Sequence, residues 1–376
     1  MNHSDDSLMR DALLAVYRLA YRHLVRPLTF TMDAQTAHSR TMDALCYFDE
    51  HTELVETVHR LTFREVPTRS GGVELKSPLM LAAGFVKGAG FTTEAEALAA
   101  VRAGQNIIPG WRSMPALVGA VEFGSFTRYP RMGNPGVVLW RDATTRSTQN
   151  RIGLKNPGAV AAAEFLAARP LPEIFGINIA VSPGITDLAQ EHQEAVEAVD
   201  AFLSRGVRPA WFTLNISCPN TEDDPGNHQT ETQTRELVRQ VINRLEKLPL
   251  WVKISPNLAE SQYATLLRVF ADEGVQAVVA TNTRPELSPA ATTAGVAGGR
   301  LHQQAVQVVR WLADARKQHG YSVDIIGCGG VQTAPDYEDF RRSGASAVQY
   351  WSALIYEGPL AAALILREKM TVPCKN

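Results

Sequence analysis

Polar side chains follow several short apolar runs of this 376-residue sequence, at places where a buried strand would end. Two of them are lysines and four are asparagines: Lys87, Lys253, Asn178, Asn215, Asn220 and Asn282. A single asparagine at such a place is more often part of a turn than a ligand contact. Lysine is rarely buried without a partner, so Lys253 in an apolar run indicates an anionic or polar ligand. The six groups together predict one polar binding site.

Glycines supply a second group of candidate contacts. Gly298-Gly299 precedes a predicted helix, residues 327–330 read Gly-Cys-Gly-Gly, and Trp351-Ser352 follows the last apolar run. Glycine lets a backbone approach a ligand closely, and loops of this kind commonly bind phosphate through their N–H groups. Each glycine alone could belong to a tight turn. Together they predict a phosphorylated cofactor.

The elements that would position these residues are short apolar runs that alternate with helical stretches. There are eight runs, at 79–83, 120–124, 175–179, 211–216, 250–254, 277–280, 323–327 and 347–351. Strands that alternate with helices predict parallel βαβ units, and eight of them predict an α/β fold of the (β/α)8 or TIM barrel type. A doubly wound open sheet is the alternative, but no Gly-x-Gly-x-x-Gly motif opens its first unit.

The first 66 residues have a different pattern, which predicts a small helical N-terminal extension. Apolar residues recur at three- and four-residue spacing from Leu8 to Arg26, and Pro27 is expected to end this helix. Two more helices are predicted at about 34–48, after an Asp33 cap, and 53–61. The turn cluster 67–72 marks the expected boundary, with the extension at 1–66 and the barrel at 67–376.

Composition narrows the classes of function. The formal net charge is −2 and no basic stripe is present, so nucleic acid is not an expected partner. The four cysteines lie far apart without a Cys-x-x-Cys pair, which argues against a zinc site and against a disulfide framework. No apolar run reaches the roughly 18 residues of a membrane-spanning helix, and arginines interrupt the N-terminal apolar positions where a secretory signal would lie. A cytoplasmic protein is expected.

Several motifs, in their order along nearly the whole chain, resemble the dihydroorotate dehydrogenase family. The most specific is Asn-Ile-Ser-Cys-Pro-Asn at 215–220, which the related dihydropyrimidine dehydrogenases share. The other matching stretches are LAAGFVK at 81–87, NRIGL at 150–154, ATNT at 280–283, IGCGG at 326–330, VQYWS at 348–352 and IYEGP at 355–359. Matching 121–125 and 130–135 to the family makes residues 106–119 an insertion.

The resemblance implies an enzyme of pyrimidine biosynthesis that oxidises dihydroorotate to orotate and uses flavin mononucleotide (FMN). It implies that FMN is held by Ala83, Gly84, Ser125, Asn178, Lys253, Gly298, Gly330, Trp351 and Ser352. It implies that dihydroorotate is held by Lys87, Asn150, Asn215, Asn220, Asn282 and Thr283. Cys218 stands where the family has its catalytic base, and no metal is expected.

These residue types suit the reaction. Dihydroorotate loses a proton beside a ring carbonyl and a hydride from the adjacent carbon, and a flavin accepts the hydride. Lys253 would stabilise the negative charge of the reduced flavin, and Lys87 would meet the substrate carboxylate. An unperturbed thiol has a pKa of about 8.5, so Cys218 needs activation to act as a base. The other interpretation of a free cysteine is a small buried hydrophobic residue.

Features of two classes within the family are mixed. The N-terminal helices and the stretch MDAQTAH at 32–38 resemble the membrane-associated class, which passes electrons to a quinone. A cysteine base is typical of the soluble class, which uses fumarate or NAD. Val86 and Trp351 stand where the quinone class has an acid and a tyrosine, and residues 221–224 are acidic.

The resulting hypothesis is a quinone-dependent enzyme bound peripherally to the cytoplasmic side of a membrane. Residues 1–66 would form a lid over a quinone tunnel, with an apolar face of Leu13, Leu14, Tyr17, Tyr21 and Leu24. Four arginines would be available to anionic headgroups: Arg10, Arg18, Arg22 and Arg26. Packing of that face on the barrel is the alternative. For function, the alternatives are a flavin barrel with a soluble acceptor or another pyrimidine-like substrate, and a barrel that binds a ligand without turnover.

Overall fold

The core of the molecule is a closed barrel of eight parallel strands that follow one another in chain order. The structure, a computed structural model, describes residues 3–217 and 231–371. The strands are β1 (Leu79–Leu81), β2 (Val121–Phe126), β3 (Phe175–Ala180), β4 (Trp211–Asn215), β5 (Leu250–Ile254), β6 (Ala277–Ala280), β7 (Asp324–Cys328) and β8 (Ala347–Tyr350). β8 pairs with β1 and closes the barrel. The predicted TIM barrel is therefore confirmed, and each of the eight predicted runs is a strand.

Four helices precede the barrel: α1 (His3–Ala20), α2 (Arg26–Phe30), α3 (Ala34–Glu50) and α4 (Thr52–Thr62). A π-helical turn, Tyr21–Val25, joins α1 to α2, so the prediction that Pro27 ends the first helix is wrong. Pro27 is tolerated because it lies in the first turn of α2, where a missing backbone N–H costs little. The predicted cap of α3 is confirmed, since Asp33 accepts a hydrogen bond from the N–H of Thr36 at 2.8 Å.

The first helix is docked on the loop that follows β8. Tyr17 donates a hydrogen bond to the Glu357 carbonyl and Tyr21 donates one to the Ile355 carbonyl, at 3.1 and 2.9 Å. Arg22 forms a bidentate pair with the Glu357 carboxylate at 3.0 and 2.9 Å. Glu357 is only 3% exposed, and a buried carboxylate requires such a cationic partner.

Two further arginines of the extension also have partners within the protein. Arg18 pairs with Glu368, and Arg26 donates to the Tyr356 carbonyl at 3.1 Å. With Arg22 already paired to Glu357, the expectation that all four arginines are available to headgroups is wrong. Their charges are used to attach the extension to the barrel.

The remaining helices include those that pack around the outside of the barrel between strands. They are α5 (Glu94–Arg102), α6 (Ser113–Val118), α7 (Ala159–Ala167), α8 (Leu188–Leu203), α9 (Glu231–Leu245), α10 (Glu260–Glu273), α11 (Gly299–His319), α12 (Ala334–Arg342), α13 (Ala353–Tyr356) and α14 (Ala361–Thr371). No helix in the described part of the chain is long and apolar enough to cross a membrane.

A hairpin, Thr68–Ser70 paired with Val73–Leu75, lies against the N-terminal end of the barrel. Its turn residue Gly71 has φ +56° and accepts a hydrogen bond from the indole N–H of Trp251 at 2.9 Å. A Cβ at Gly71 would lie 2.3 Å from that indole, so only glycine fits there. Trp251 stacks on Trp211 inside the barrel, with ring centroids 4.3 Å apart. The barrel interior is therefore filled from this end, and open space is left at the other.

A four-stranded antiparallel sheet, here called the cover sheet, is built from the chain that follows β2 and β6. Its strands, in sheet order, are Arg284–Leu287, Thr293–Gly298, Ser147–Asn150 and Leu139–Asp142. The pairing places Gly298 opposite Ser147 and Gly295 opposite Asn150. The sheet therefore brings predicted substrate and cofactor contacts to one place.

Candidate active site

One cavity of about 780 Å³ joins the C-terminal ends of the barrel strands to the helical extension. At the barrel end its lining is polar. At the extension end the lining is apolar and comes from α1, α3 and α4, including Leu13, Leu45, Phe48, Leu54, Val55, Val58 and Leu61. A cavity with a polar end and an apolar end can hold a polar substrate and admit an apolar one.

The cavity collects nearly all of the predicted site residues that the structure describes. Its lining includes Ala83, Gly84, Lys87, Ser125, Asn150, Asn215, Lys253, Asn282, Thr283, Gly330, Trp351 and Ser352. Asn178 and Gly298 are buried and are not among the lining residues. Cys218 and Asn220 lie outside the described residues. Segments far apart in sequence thus meet at one face of the barrel, because the C-terminal ends of all its parallel strands lie there.

Lys253 on β5 is 6% exposed and its ammonium lies 3.7 Å from the Sγ of Cys328 on β7. Both side chains reach the cavity. Burial raises the pKa of the Cys328 thiol, with the nearby Lys253 charge acting in the opposite direction. The thiol is a weak acceptor, so the lysine keeps donors for a ligand at this end of the cavity.

A hydrogen-bond network fixes the segment that ends β4. Asn282 donates to the carbonyl of Ser217 at 2.7 Å and to Oδ1 of Asn215 at 3.2 Å. Asn215 in turn donates to the hydroxyl of Ser125 at 3.2 Å, and Ser217 donates to the Lys253 carbonyl at 3.1 Å. The amide groups of the two asparagines are therefore held in place before any substrate binds.

Glu122 is a buried residue inside the barrel whose carboxylate accepts several hydrogen bonds. It was not predicted as a site residue. Its carboxylate accepts hydrogen bonds from Asn178 at 2.8 Å, Gln349 at 3.0 Å, Trp211 at 3.0 Å and Thr213 at 2.7 Å. A carboxylate of this kind only accepts, so both amides turn their NH2 groups towards it. The side-chain oxygens of Asn178 and Gln349 are then buried without a hydrogen-bond partner among the described residues.

Gln349 lines the cavity and was also missed as a site residue. The sequence contained a signal for both residues, because Glu122 and Gln349 each stand directly between apolar residues of a predicted strand. A buried polar residue requires partners, and such a residue in a strand marks a place where the barrel interior is polar.

Close backbone packing surrounds the glycines predicted to approach a phosphate. Gly298 and Gly330 have φ values of +88° and +77°. A Cβ at Gly330 would lie 2.4 Å from the Gly298 carbonyl oxygen, and one at Gly298 would lie 2.5 Å from the Arg146 carbonyl oxygen. Only glycine allows these two loops to meet, which leaves backbone groups rather than side chains at this corner of the site.

His38 on α3 lies where the extension meets the barrel, with its ring beside Phe85. Burial, with the positive charges of Lys87 and Lys155, lowers the pKa of His38 to about 4. The imidazole is therefore neutral at neutral pH. His38 and Lys87 both line the cavity, so an uncharged ring lies between the apolar end and this lysine.

The fold and this site together define a (β/α)8-barrel enzyme whose strand ends converge on a polar pocket beneath a helical extension. The sequence profile of the family described as "Dihydroorotate dehydrogenase" matches residues 66–371. The chain therefore belongs to the dihydroorotate dehydrogenase family, which confirms the resemblance stated from its motifs. It is accordingly an oxidoreductase of the class that acts on a CH–CH bond, as predicted.

Individual relatives agree with this assignment. The chain is 32% identical over 385 residues to "Dihydroorotate dehydrogenase (quinone)" of Chloroflexus aurantiacus, covering 94% of this chain and 97% of that protein. It is 30% identical over 369 residues to the protein of the same name from Sphingopyxis alaskensis, covering 94% and 93%. A crystal structure of dihydroorotate dehydrogenase from Eimeria tenella in complex with ferulenol superposes with a TM-score of 0.70 at 21% identity, covering 89% and 90%, and supports the fold.

Proposed function

We propose that this chain oxidises dihydroorotate to orotate with FMN as cofactor and a quinone as electron acceptor. One observation carries the proposal: a single cavity joins the lysine- and asparagine-rich strand ends to an apolar space beneath α1, α3 and α4. The polar end suits a small charged pyrimidine. The apolar end suits a lipid-soluble acceptor, which a soluble-acceptor enzyme would not need.

The residues at the polar end fit FMN. Gly298 and Gly330 offer backbone at the place where a phosphate would bind, and Lys253 supplies a buried positive charge. Asn178 and Gln349 hold side-chain oxygens that lack a partner among the described residues and could accept N–H groups of a flavin ring. A Cβ at Gly84 would be 3.8 Å from its nearest neighbour, Trp351, so the glycine leaves room for a flat ring.

Each polar group has a defined task in the proposed reaction. Bound FMN supplies the electron sink for the hydride. Lys87 binds the substrate carboxylate, and the amides of Asn150, Asn215, Asn220 and Asn282, with Thr283, orient the ring through its amide edges. Cys218 removes the proton beside the ring carbonyl. Lys253 holds a positive charge where negative charge develops in the reduced cofactor.

Half-reactions of the purified protein test this function. Anaerobic dihydroorotate should bleach the yellow flavin absorbance, and a quinone should restore it faster than fumarate or NAD does. A flavin that dihydroorotate does not bleach would indicate another substrate or a barrel without turnover. Faster recovery with fumarate or NAD would place the chain with the soluble-acceptor enzymes, as its cysteine at 218 would suggest.

Lys253→Ala is expected to lower the reduction potential of the bound flavin. Loss of a charge–charge contact of about 1.5–3 kcal/mol corresponds to roughly 30–60 mV for a two-electron couple. Spectroscopic titration against a reference dye measures the potential directly. Lys247→Ala, which removes an exposed lysine after α9, is the control and should leave the potential unchanged. An unaltered potential in Lys253→Ala would remove this role from the lysine.

Lys87→Ala should raise the KM for dihydroorotate by about 10- to 100-fold, because a charge-assisted hydrogen bond to the substrate carboxylate is lost. Flavin content and the potential should stay as in the wild type. The matched control is Lys76→Ala, since Lys76 is exposed and pairs with Glu173 at 2.7 Å. Equal KM values for the wild type and Lys87→Ala would show that another group binds the carboxylate.

The extension, residues 1–66, is proposed to be both the lid of the acceptor cavity and a peripheral membrane contact on the cytoplasmic side. Its inner face packs on the barrel through Leu14, which is 1% exposed. Its outer face carries large exposed apolar side chains on α1 and α2 that do not line the cavity: Leu8, Met9, Val16, Leu19 and Leu28. An apolar face that points away from the protein suits insertion among lipid chains.

A further inference from the structure

The segment at residues 106–119, here called the insertion because the match to the family predicts it to be one, contains α6 and forms one wall of the cavity. Ser113, Met114 and Leu117 line the cavity on the side where α6 packs against α4. Met114 and Leu117 are 3% and 9% exposed, so their side chains are held against other groups. The wall belongs to the apolar half of the cavity, where the acceptor is proposed to enter.

A buried carboxylate from α3 holds the N-terminal end of α6. Asp49, 4% exposed, accepts hydrogen bonds from the backbone N–H groups of Gly110, Arg112 and Ser113 at 2.8, 3.2 and 2.8 Å. It also accepts from the Ser113 hydroxyl at 2.7 Å and from the amide of Asn106 at 2.8 Å. One acidic side chain thus satisfies five donors of the insertion, and the three bonds from Gly110 and Ser113 are buried, where an unpaired donor would be costly.

The C-terminal end of α6 is held from α4. Nδ1 of His59 lies 2.8 Å from the carbonyl oxygen of Leu117. Because a carbonyl only accepts, this nitrogen carries the proton and donates. The short helix is therefore fixed at both ends by two different helices of the extension, through Ser113 and Leu117.

The insertion also packs on the loop that carries the substrate lysine. The N–H of Ala89 donates to the carbonyl of Ile107 at 2.9 Å. A Cβ at Gly110 would lie 3.2 Å from Leu45 and 3.4 Å from Val86, so these groups are in close contact. The wall has barrel on one side and helices on the other, which leaves it little room to move.

We propose that Met114 and Leu117 determine which acceptors the enzyme can use, and that Asp49 and His59 are positioning residues that hold this wall. The inference rests on the proposed reduction of a quinone. A fixed apolar wall selects ligands by shape, because one missing or extra carbon group in such a pocket changes reaction rates by about tenfold or more. The acceptor class is a flat quinone ring whose substituents must pass α6.

The first test compares menadione, a compact naphthoquinone, with a benzoquinone that carries a ten-carbon chain. Met114→Ala should raise the ratio of kcat/KM for the chain-bearing quinone to that for menadione by about tenfold, since only the chain can fill the space gained. Val118→Ala is the matched control, because Val118 is a buried residue of the same helix that does not line the cavity. Its ratio should equal that of the wild type. A wild-type ratio in Met114→Ala would overturn the proposal.

The second test separates positioning from general stability. Asp49→Ala should raise the KM for both quinones by about tenfold while dihydroorotate bleaches the flavin at the wild-type rate. Asp49→Asn keeps one acceptor oxygen, so its KM values for the quinones should lie between those of the wild type and of Asp49→Ala. Menadione should raise the melting temperature of the wild type and of Val118→Ala, but not of Asp49→Ala. Unchanged quinone KM values in Asp49→Ala, or equal slowing of both half-reactions, would overturn the positioning role.

The wild type separates this inference from the proposed function. If no quinone reoxidises its reduced flavin, the proposed acceptor is wrong and the wall has no acceptor to select. If quinones reoxidise it and the Met114→Ala ratio is unchanged, the acceptor stands and the role of α6 is refuted.

Discussion

Cys218→Ala should retain its flavin but be bleached by dihydroorotate about 10²- to 10⁴-fold more slowly than the wild type, the usual contribution of a general base. The reason is that the proton is removed from the ring carbon beside a carbonyl, and a base must lie near that carbon to accept it. Stopped-flow absorbance of the anaerobic enzyme measures the step without involving the quinone. Cys218→Ser should be intermediate, because a hydroxyl can replace the thiol only if a neighbour activates it.

The neighbouring residues support this assignment although Cys218 lies outside the described part of the chain. Ser217, directly before it, is 8% exposed and is fixed through hydrogen bonds to Asn215, Lys253 and Asn282. The chain is therefore held at the mouth of the cavity up to the residue before the proposed base. A base that follows a fixed segment has little orientational freedom to lose when the substrate binds.

A second cysteine provides the discriminating control. Cys328 also reaches the cavity, beside Lys253, but burial raises the pKa of its thiol, which makes it a poor source of thiolate. Cys328→Ala should be bleached at nearly the wild-type rate. A slow Cys328→Ala with a normal Cys218→Ala would transfer the role of base from one cysteine to the other.

The barrel could be predicted from the sequence because its strands are buried on both faces. Runs such as 250–254 and 277–280 are short, apolar and bounded by polar or helical segments, and the strands Leu250–Ile254 and Ala277–Ala280 have those bounds. Parallel topology then places every C-terminal end at one mouth. Residues with little sequence signal of their own, such as Asn150, came only from the family resemblance.

The cover sheet could not be predicted, because local sequence does not specify its strands. Ser147–Asn150 is polar throughout and Arg284–Leu287 contains a proline, so neither shows the alternation of a half-buried strand. They form strands because each pairs with Thr293–Gly298, which lies between them in the cover sheet. Helix α7 was missed for a related reason, since Ala159–Ala167 is buried on most sides and has no amphipathic period.

The first helix shows how a correct pattern can yield an incomplete interpretation. The sequence predicted one apolar face, and the structure divides it into two surfaces. Leu14 is buried against the protein, whereas Leu13 is 39% and Leu24 56% exposed. Periodicity identifies apolar positions but does not say which of them meets the barrel, because that depends on the docking of Tyr17, Tyr21 and Arg22 at residues 354–357.

The outer surface of α1 is expected to bind the enzyme to membranes. Leu8, Val16 and Leu19 are 70%, 66% and 61% exposed and stand eight and eleven residues apart, which places them on one side of the helix. Replacing all three by serine should weaken binding to liposomes by about 100-fold or more, since each large side chain inserted into lipid contributes roughly 1–2 kcal/mol. Sedimentation with phospholipid vesicles measures the bound fraction.

The triple serine variant should still be bleached by dihydroorotate at the wild-type rate, because these side chains point away from the barrel and are absent from the cavity lining. Reduction of a water-soluble quinone should also persist, while reduction of a long-chain quinone embedded in vesicles should fall in proportion to the loss of binding. For single substitutions, Leu19→Ser can be matched with Leu188→Ser, a leucine on barrel helix α8 that is 36% exposed. Vesicle binding by the triple variant at the wild-type level would refute the membrane role of this surface. A wild type that binds no vesicles would refute it equally, and the exposed leucines would then require a protein partner.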